Sequence, residues 1–138
     1  MPLFDAYLFF NGSCADAMRF YERALGAKID MMMTYGQAPD PQQCPAGSSD
    51  RIMHAHLTLQ GRTLMASDTP KGQENAGMSG FGLSMNYPSV DEAKRVFDAL
   101  ADGGKVMMPM GKTFWSESFG MLTDRYGVNW MIAGGASM

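Results

Sequence analysis

The chain of 138 residues contains few histidines, few cysteines and few charged side chains. Its two cysteines, Cys14 and Cys44, are too few for the disulfide framework of a small secreted domain. Charged residues make up 18% of the chain and the formal net charge is −3, so the composition does not favour a basic surface that neutralises phosphates. We therefore expect no nucleic-acid partner.

Long apolar runs are also missing. No stretch approaches the roughly 20 apolar residues that a membrane-spanning helix requires, and the N-terminal sequence MPLFDAYLFF lacks the basic start of a signal peptide. We therefore expect no membrane partner and a cytoplasmic location. The length corresponds to one domain, and it is sufficient to bury a core without disulfides.

One pattern in the sequence occurs twice. The segment SCADAMRFYERALGAKI begins at Ser13, and SVDEAKRVFDALADGGKV begins 76 positions later at Ser89. Each segment predicts an amphipathic helix that leads into a strand, because apolar residues recur at three- and four-residue spacing. After one inserted residue, Lys28-Ile29 corresponds to Lys105-Val106. The repeat predicts two similar modules that share one core.

Both predicted helices carry capping signals. Ser13 with Asp16, and Ser89 with Glu92, have the spacing of a capping box, in which the serine side chain accepts a hydrogen bond from the first turn. Gly26 follows the first helix, as a left-handed position after a helix prefers.

Apolar alternation and turn residues predict strands around the helices. The predicted strands are 3–10, 27–35, 51–59 and 62–67 in the first module and 80–86, 105–108, 114–123 and 127–132 in the second. Pro109 is expected to stop the strand that begins at Lys105. Residues 36–50 predict a long loop, and residues 68–79 predict the link between the modules.

The predicted order is strand-helix-strand-strand-strand, twice. This order indicates an α+β fold class with two tandem βαβββ modules. We expect a single domain over residues 1–138, with the first module at 1–70 and the second at 80–133.

A resemblance to a known family lies in three stretches: YLFFNGSCADAMRFYERALGA at 7–27, HAHLTLQGRTLMASD at 54–68 and TFWSESFGMLTDRYGVNWMI at 113–132. They resemble the PhnB-like branch of the vicinal oxygen chelate superfamily, which includes glyoxalase I, bleomycin-resistance proteins and extradiol dioxygenases. The resemblance covers nearly the whole chain. It implies a glyoxalase/bleomycin-resistance fold whose curved sheets form a cup, a small-molecule ligand and a homodimer.

The resemblance also implies where a divalent metal would bind, because metal-dependent members present His, Glu or Gln from four strands. The corresponding positions here fall at Tyr7, near Ala66, near Gly80 and at Met131. None of these residues is a good ligand for a hard or borderline metal ion. We therefore expect no metal cofactor at these positions.

His54 and His56 are two residues apart on a predicted strand, so we expect both side chains on one face. They could bind a divalent metal if a carboxylate such as Asp68 or Glu117 joined them. Structural hydrogen bonding is the favoured interpretation, because two ligands alone make a weak site. Acid–base use of either histidine stays open.

The candidate residues that would line the expected cup are Tyr7, His54, His56, Ser67, Trp115, Phe119 and Met131. Trp115 and Phe119, together with Phe114, could line an apolar cavity, although strand aromatics also form ordinary core. Ser67 and Asp68 could lie at the rim of the cup, but a role at the end of a hairpin is favoured.

Cys14 allows two interpretations. It lies in the first turn of a helix, where the helix dipole could lower its pKa and favour a thiolate. A small buried side chain is the favoured alternative.

Three functions follow from these observations. The favoured one is a metal-free PhnB-like protein that binds a small molecule in an apolar cup, with no assigned reaction and no assigned catalytic residue. The first alternative is a metal-dependent lyase, isomerase or dioxygenase with a site at His54 and His56. The second alternative is a resistance-type protein that sequesters a toxic compound without changing it.

Overall fold

A computed structural model describes residues 2–135 as two α-helices and eight strands in the order strand-helix-strand-strand-strand, twice. The elements are β1 Ala6–Phe10, α1 Cys14–Leu25, β2 Lys28–Thr34, β3 Ile52–Leu59, β4 Arg62–Asp68, β5 Leu83–Tyr87, α2 Val90–Ala101, β6 Lys105–Gly111, β7 Ser118–Thr123 and β8 Asn129–Gly134. Two short 3-10 turns, Tyr35–Gln37 and Pro41–Gln43, lie between β2 and β3. The predicted α+β class is confirmed. Among the helices of residues 2–135, none is both long and apolar enough to span a membrane.

The chain divides into two compact units, Met1–Gly77 and Met78–Met138. Each unit contains one four-stranded sheet, with the order β1-β4-β3-β2 in the first unit and β5-β8-β7-β6 in the second. In each sheet the first strand pairs in parallel with the last strand of its unit, and the other pairs are antiparallel. The predicted modules, 1–70 and 80–133, fall within these two units.

Each helix covers one face of the sheet in its own unit. In the first unit, the buried residues of α1 pack against strand residues that alternate with more exposed ones, because successive strand side chains point to opposite faces. The buried residues of this layer are Leu8, Ala17, Met18, Phe20, Tyr21, Ala55, Leu57 and Ala66. The corresponding layer of the second unit contains Ala93, Val96, Phe97, Leu100, Leu122, Trp130 and Ile132.

The N-terminus of α1 is capped by Asp68 and not by Ser13. Oδ1 of Asp68 accepts hydrogen bonds from the backbone N–H groups of Gly12 at 2.8 Å and Cys14 at 3.0 Å, and its Oδ2 accepts one from Ile52 at 2.9 Å. The side chain of Ser13 makes no capping hydrogen bond, so the predicted capping box at Ser13 is wrong. The physical reason is that a carboxylate 54 positions from Cys14 already accepts the N–H groups at this helix end.

The N-terminus of α2 is capped locally, as the sequence predicts. Oγ of Ser89 accepts a hydrogen bond from the backbone N–H of Glu92 at 3.3 Å. Gly134 is the last residue of β8, the position that Asp68 occupies in β4. A Cβ added at Gly134 would lie 2.7 Å from Cβ of Ala93, so α2 packs too closely on this strand end for any side chain there.

Some predicted strand bounds are wrong. β6 continues through Pro109 to Gly111, because β6 is an edge strand and proline is tolerated where a ladder hydrogen bond is not needed. β1 begins at Ala6, and β7 begins only at Ser118. Phe114 therefore lies in the segment before β7, outside any strand.

Candidate functional site

The sheet of the first unit has a face turned away from α1. Tyr7 pairs with Met65, and Met65 pairs with His56. Each of these residues is next in its strand to a buried residue on the α1 side, so its side chain points to the opposite face of the sheet. His56 also pairs with Met31, so one row of side chains crosses all four strands. We call this surface the helix-free face. Its residues are Tyr7, Phe9, Met31, Met33, His54, His56, Met65 and Ser67.

All four candidate residues from the first unit lie on the helix-free face. They are Tyr7, His54, His56 and Ser67. The expectation that both histidines share a face agrees with the register, in which His56 pairs with Met31 and His54 pairs with Met33. Ser67 is 6% exposed and pairs with Phe9. The roles of these residues as a ligand-binding set stay predictions.

Tyr7 and His54 are directly hydrogen-bonded. The Tyr7 hydroxyl lies 3.0 Å from Nδ1 of His54, and the two rings are stacked with centroids 5.7 Å apart and an interplanar angle of 30°. The ring of Phe9 lies 5.0 Å from that of Tyr7. The contact fixes the orientation of the imidazole and engages Nδ1, so Nε2 is the nitrogen that can meet a further partner.

His56 has a carboxylate neighbour. Its Nδ1 lies 3.4 Å from Oδ2 of Asp30, and the two side chains are about one third exposed. The register between β2 and β3 shifts between Ile29 and Met31, so Asp30 is the additional residue of a β-bulge. Bulges redirect side chains, and this one brings an acidic group to His56. Sequence analysis missed Asp30, because a bulge leaves no clear signal in a single sequence.

The carboxylate of Asp68 has a different role from the one considered for it. The carboxylate accepts a hydrogen bond from the first turn of α1, as described above. The backbone oxygen of Asp68 accepts a hydrogen bond from the hydroxyl of Tyr35 at 2.8 Å. Burial, followed by the negative charge of Asp68 and the nearby Tyr7, raises the pKa of Tyr35 above its ordinary value. Tyr35 is a second residue that sequence analysis missed, since it was assigned only to the end of a strand.

Two of the four positions implied for a divalent metal need correction. Ala66 is fully buried and pairs with Leu8 in the α1-facing layer, so Met65 is the β4 residue on the helix-free face. Gly80 precedes β5. Ser84 is the β5 residue that corresponds to Tyr7, because Ser84 pairs with Met131 of β8 and Tyr7 pairs with Met65 of β4.

The corrected positions do not fit a divalent metal ion. They are Tyr7, Met65, Ser84 and Met131, and none of them offers a carboxylate or an imidazole. Within residues 2–135, the His, Cys, Asp and Glu side chains form no group of three that could hold a metal ion.

The candidate residues of the second unit form an aromatic and methionine-rich group. Trp115 meets Phe119 edge to face, with ring centroids 5.4 Å apart, and Phe114 edge to face at 4.7 Å. Phe119 and Met121 lie two residues apart on β7, and Met121 pairs with Met131. Trp115 and Phe119 are therefore brought together, and Met131 lies on the same sheet face as Phe119.

Cys14 is a buried thiol. It has no exposed surface, and burial, together with the nearby negative charge of Asp68, raises its pKa to about 12. The favoured interpretation of a small buried side chain is confirmed. The alternative of a helix-activated thiolate is wrong, because desolvation and a neighbouring carboxylate both disfavour the anion.

Comparisons with known proteins agree with this architecture. Residues 3–132 match the Glyoxalase/Bleomycin resistance protein/Dioxygenase superfamily. Protein YjdN from Escherichia coli K12 is 41% identical over an alignment of 141 positions, which covers 96% of this chain and 94% of that protein. The crystal structure of protein PA1353 from Pseudomonas aeruginosa is 43% identical with a TM-score of 0.90, covering 98% of both chains. The PhnB protein from Bacillus cereus is 27% identical with a TM-score of 0.80, covering 97% of this chain and 100% of that one.

Proposed function

The chain belongs to the Glyoxalase/Bleomycin resistance protein/Dioxygenase superfamily, and from this we propose that it binds a small organic molecule on the helix-free face of its first unit. Tyr7 and His54 form the polar anchor of this site. The binding does not involve a divalent metal ion held by the four positions that ligate one in metal-dependent members. The unsuitable side chains at the four corresponding positions support that part of the proposal.

The hydrogen bond between Tyr7 and His54 carries the proposal. Small-molecule sites combine a mostly apolar surface with a few fixed polar groups, which orient the ligand. Here the oriented pair is surrounded by apolar side chains of the same face, including Phe9, which is 54% exposed, and Met65. The ligand class that fits is a planar or unsaturated molecule with an oxygen or nitrogen atom for Nε2 of His54.

A ligand screen with matched tyrosine variants tests the site. We expect hits from a library of aromatic and unsaturated compounds to raise the melting temperature of the full chain. In Tyr7→Phe, the dissociation constant of these hits should rise by about tenfold, the size of one lost hydrogen bond. Tyr87→Phe is the control, because the buried Tyr87 hydroxyl has no hydrogen-bond partner within the described residues.

Two outcomes of the screen would contradict the proposal. One is an equal loss of affinity in Tyr7→Phe and Tyr87→Phe. The other is a set of hits that loses affinity only when Trp115 of the second unit is changed to leucine. Either result would remove the helix-free face as the binding site.

A second candidate function is acid–base catalysis by His56. The 3.4 Å approach of the Asp30 carboxylate to Nδ1 favours it, since a carboxylate can orient an imidazole for proton transfer. A lyase or isomerase of this kind would lose turnover in His56→Gln and partly in Asp30→Asn.

Recovery of every hit chemically unchanged would instead favour a resistance-type sequestering protein.

The homodimer implied by the family resemblance and the cytoplasmic location expected from the sequence are also part of the proposal. Light scattering on a size-exclusion column tests the first point. A mass near that of the 15.1 kDa chain would contradict the homodimer.

A further inference from the structure

We propose that Met31 is a site of reversible oxidation by a hydroperoxide, and that His56 assists the reaction. The product is methionine sulfoxide, in which a polar sulfur–oxygen group replaces an apolar thioether. The proposal concerns a modification of the chain itself, so it goes beyond the binding of an organic molecule.

Met31 is accessible to a small oxidant in solution. Among the methionines that the structure describes in the first unit, only Met31 is exposed, with 42% of its surface open to solvent. Met18 is fully buried, and Met33 and Met65 are half-buried. Because β2 is an edge strand of its sheet, a peroxide can approach the sulfur of Met31 without any opening of the sheet.

The imidazole of His56 is the neighbour of this thioether. Met31 pairs directly with His56 of β3, and directly opposed residues of an antiparallel pair have Cβ atoms about 5 Å apart. Nδ1 of His56 lies 3.4 Å from Oδ2 of Asp30, which precedes Met31, so the ring leans towards the strand that carries the thioether. Within residues 2–135, Nε2 of His56 makes no hydrogen bond, and it is therefore the atom that can meet a peroxide.

Oxidation of a thioether requires a proton to move between the two oxygen atoms of the peroxide. The sulfur attacks one oxygen, a sulfur–oxygen bond forms and the oxygen–oxygen bond breaks. The sulfur loses two electrons, and the peroxide is reduced to water when its departing oxygen takes up the proton of the transferred oxygen. An imidazole whose Nδ1 faces a carboxylate can accept this proton at Nε2 and deliver it to the departing oxygen.

The modification is reversible by a known class of reaction. A sulfoxide reductase returns the thioether. Two thiols of the reductase are oxidised to a disulfide, and the oxygen leaves as water. The state of Met31 would therefore follow the balance between peroxide and thiol reductant.

The second unit contains a matched methionine. Met108 lies on edge strand β6, 77 positions after Met31, and is similarly exposed at 44%. Each of the two methionines follows a register shift in its ladder. Met108 has Met121 across the ladder, where Met31 has His56. A difference in oxidation rate between Met31 and Met108 therefore reports the effect of the imidazole and not the effect of exposure.

Oxidation of Met31 would also change the surface that binds the organic ligand, a consequence that rests on the proposed function. The sulfoxide removes apolar surface from the helix-free face and adds a hydrogen-bond acceptor beside His56. The pair of Tyr7 and His54 stays in place as the polar anchor. We therefore expect weaker binding of the ligand and not its complete loss.

Treatment of the full chain with hydrogen peroxide, followed by peptide mass spectrometry, measures the oxidation rate of each methionine. We expect Met31 to be oxidised at least about threefold faster than Met108. In His56→Gln, whose amide does not relay a proton, the two rates should become similar, and in Asp30→Asn their ratio should fall. The rate at Met108 is the reference within each sample, and circular dichroism establishes that each variant is folded. Equal rates at the two methionines in the wild type, or an unchanged ratio in His56→Gln, would overturn the oxidation site.

The effect on the ligand needs a separate measurement. The dissociation constants of the screen hits should rise about threefold or more when the wild type is oxidised, and should stay unchanged when Met31→Leu is treated in the same way. An equal rise in both proteins would overturn the link between Met31 and the ligand. The rate comparison uses no ligand, so a screen without hits would contradict the proposed function and not the oxidation site.

Discussion

The Oδ1 atom of Asp68 lies 3.0 Å from the backbone nitrogen of Cys14, so the last residue of β4 holds the first turn of α1. The other carboxylate oxygen accepts the N–H of Ile52 at the start of β3, and the backbone oxygen of Asp68 accepts the hydroxyl of Tyr35. Asp68 of β4 is therefore hydrogen-bonded to the first turn of α1, to the start of β3 and to the turn after β2. These hydrogen bonds hold the ends of the strands that carry Tyr7 and the histidines.

We predict a large loss of stability in Asp68→Ala. The change leaves three N–H groups without their acceptor, and a buried unsatisfied group costs about 1–3 kcal/mol. The free energy of unfolding should fall by about 3 kcal/mol or more, measured by urea denaturation. Asp16→Ala, which removes a largely exposed carboxylate from the same turn, should cost less than about 1 kcal/mol. Similar losses in the two variants would contradict the capping role.

The two capping serines should respond differently to alanine. Ser89→Ala removes the acceptor for the N–H of Glu92 and should lower the free energy of unfolding by about 1 kcal/mol. Ser13→Ala removes no capping hydrogen bond and should change it by less than about 0.5 kcal/mol. Denaturation midpoints of both variants, measured side by side, check the difference. A larger loss in Ser13→Ala would contradict the assignment.

These helix ends show what a single sequence can predict. The repeat at Ser13 and Ser89 correctly predicts two helices, because helical periodicity and capping residues are local properties. The repeat does not show that Ser89 caps its helix whereas Ser13 does not, since Asp68, which caps α1 instead of Ser13, is distant in sequence. Pro109 failed as a strand stop for a related reason, because only the sheet order shows that β6 is an edge strand.

The buried thiol predicts a direction for stability at alkaline pH. The pKa of Cys14 rises from 9.0 to about 12 in the folded chain, so the unfolded chain loses this proton first. The stabilising contribution of the thiol is complete below pH 9.0 and falls as pH rises towards 12. Tyr35 and Tyr87, whose pKa values are also raised, act in the same direction. The loss of stability above pH 9.0 should therefore be smaller in Cys14→Ala than in the wild type.

Thiol labelling provides a separate measurement on the native chain. At pH 8, a disulfide reagent should react with Cys44 and leave Cys14 unmodified until denaturant is added. Cys44→Ser should therefore show almost no reaction while folded. Rapid labelling of Cys14 in that variant would contradict its burial.

Gly134 should not tolerate even a methyl group. Its Cβ would lie 2.7 Å from that of Ala93 and 3.1 Å from the backbone oxygen of Ser89. Gly134→Ala should cost about 1–3 kcal/mol in the free energy of unfolding, because α2 must move away. Gly111→Ala is the control on the edge strand, where the nearest atom, an oxygen of Pro109, is 3.9 Å from the new Cβ. A neutral Gly134→Ala would contradict the close approach of α2.

The candidate site was only partly readable from the sequence. Alternation placed His54 and His56 on one face, because period-two geometry is local. Their partners Tyr7 and Asp30 come from other strands, and Asp30 reaches His56 only through a bulge. The sequence analysis singled out no methionine of β2, since nothing in a single strand shows which of them lie opposite a histidine.

Asp68 and Gly134 are the last residues of β4 and β8, and because they differ, neither strand can replace the other. A copy of β8 placed in the first unit would bring a glycine to the point where three N–H groups require an acceptor. A copy of β4 placed in the second would bring a carboxylate to the point where α2 leaves no room for a methyl group. The helix of each unit thus depends on the final strand of its own unit, and exchanging β4 with β8 would destabilise both units.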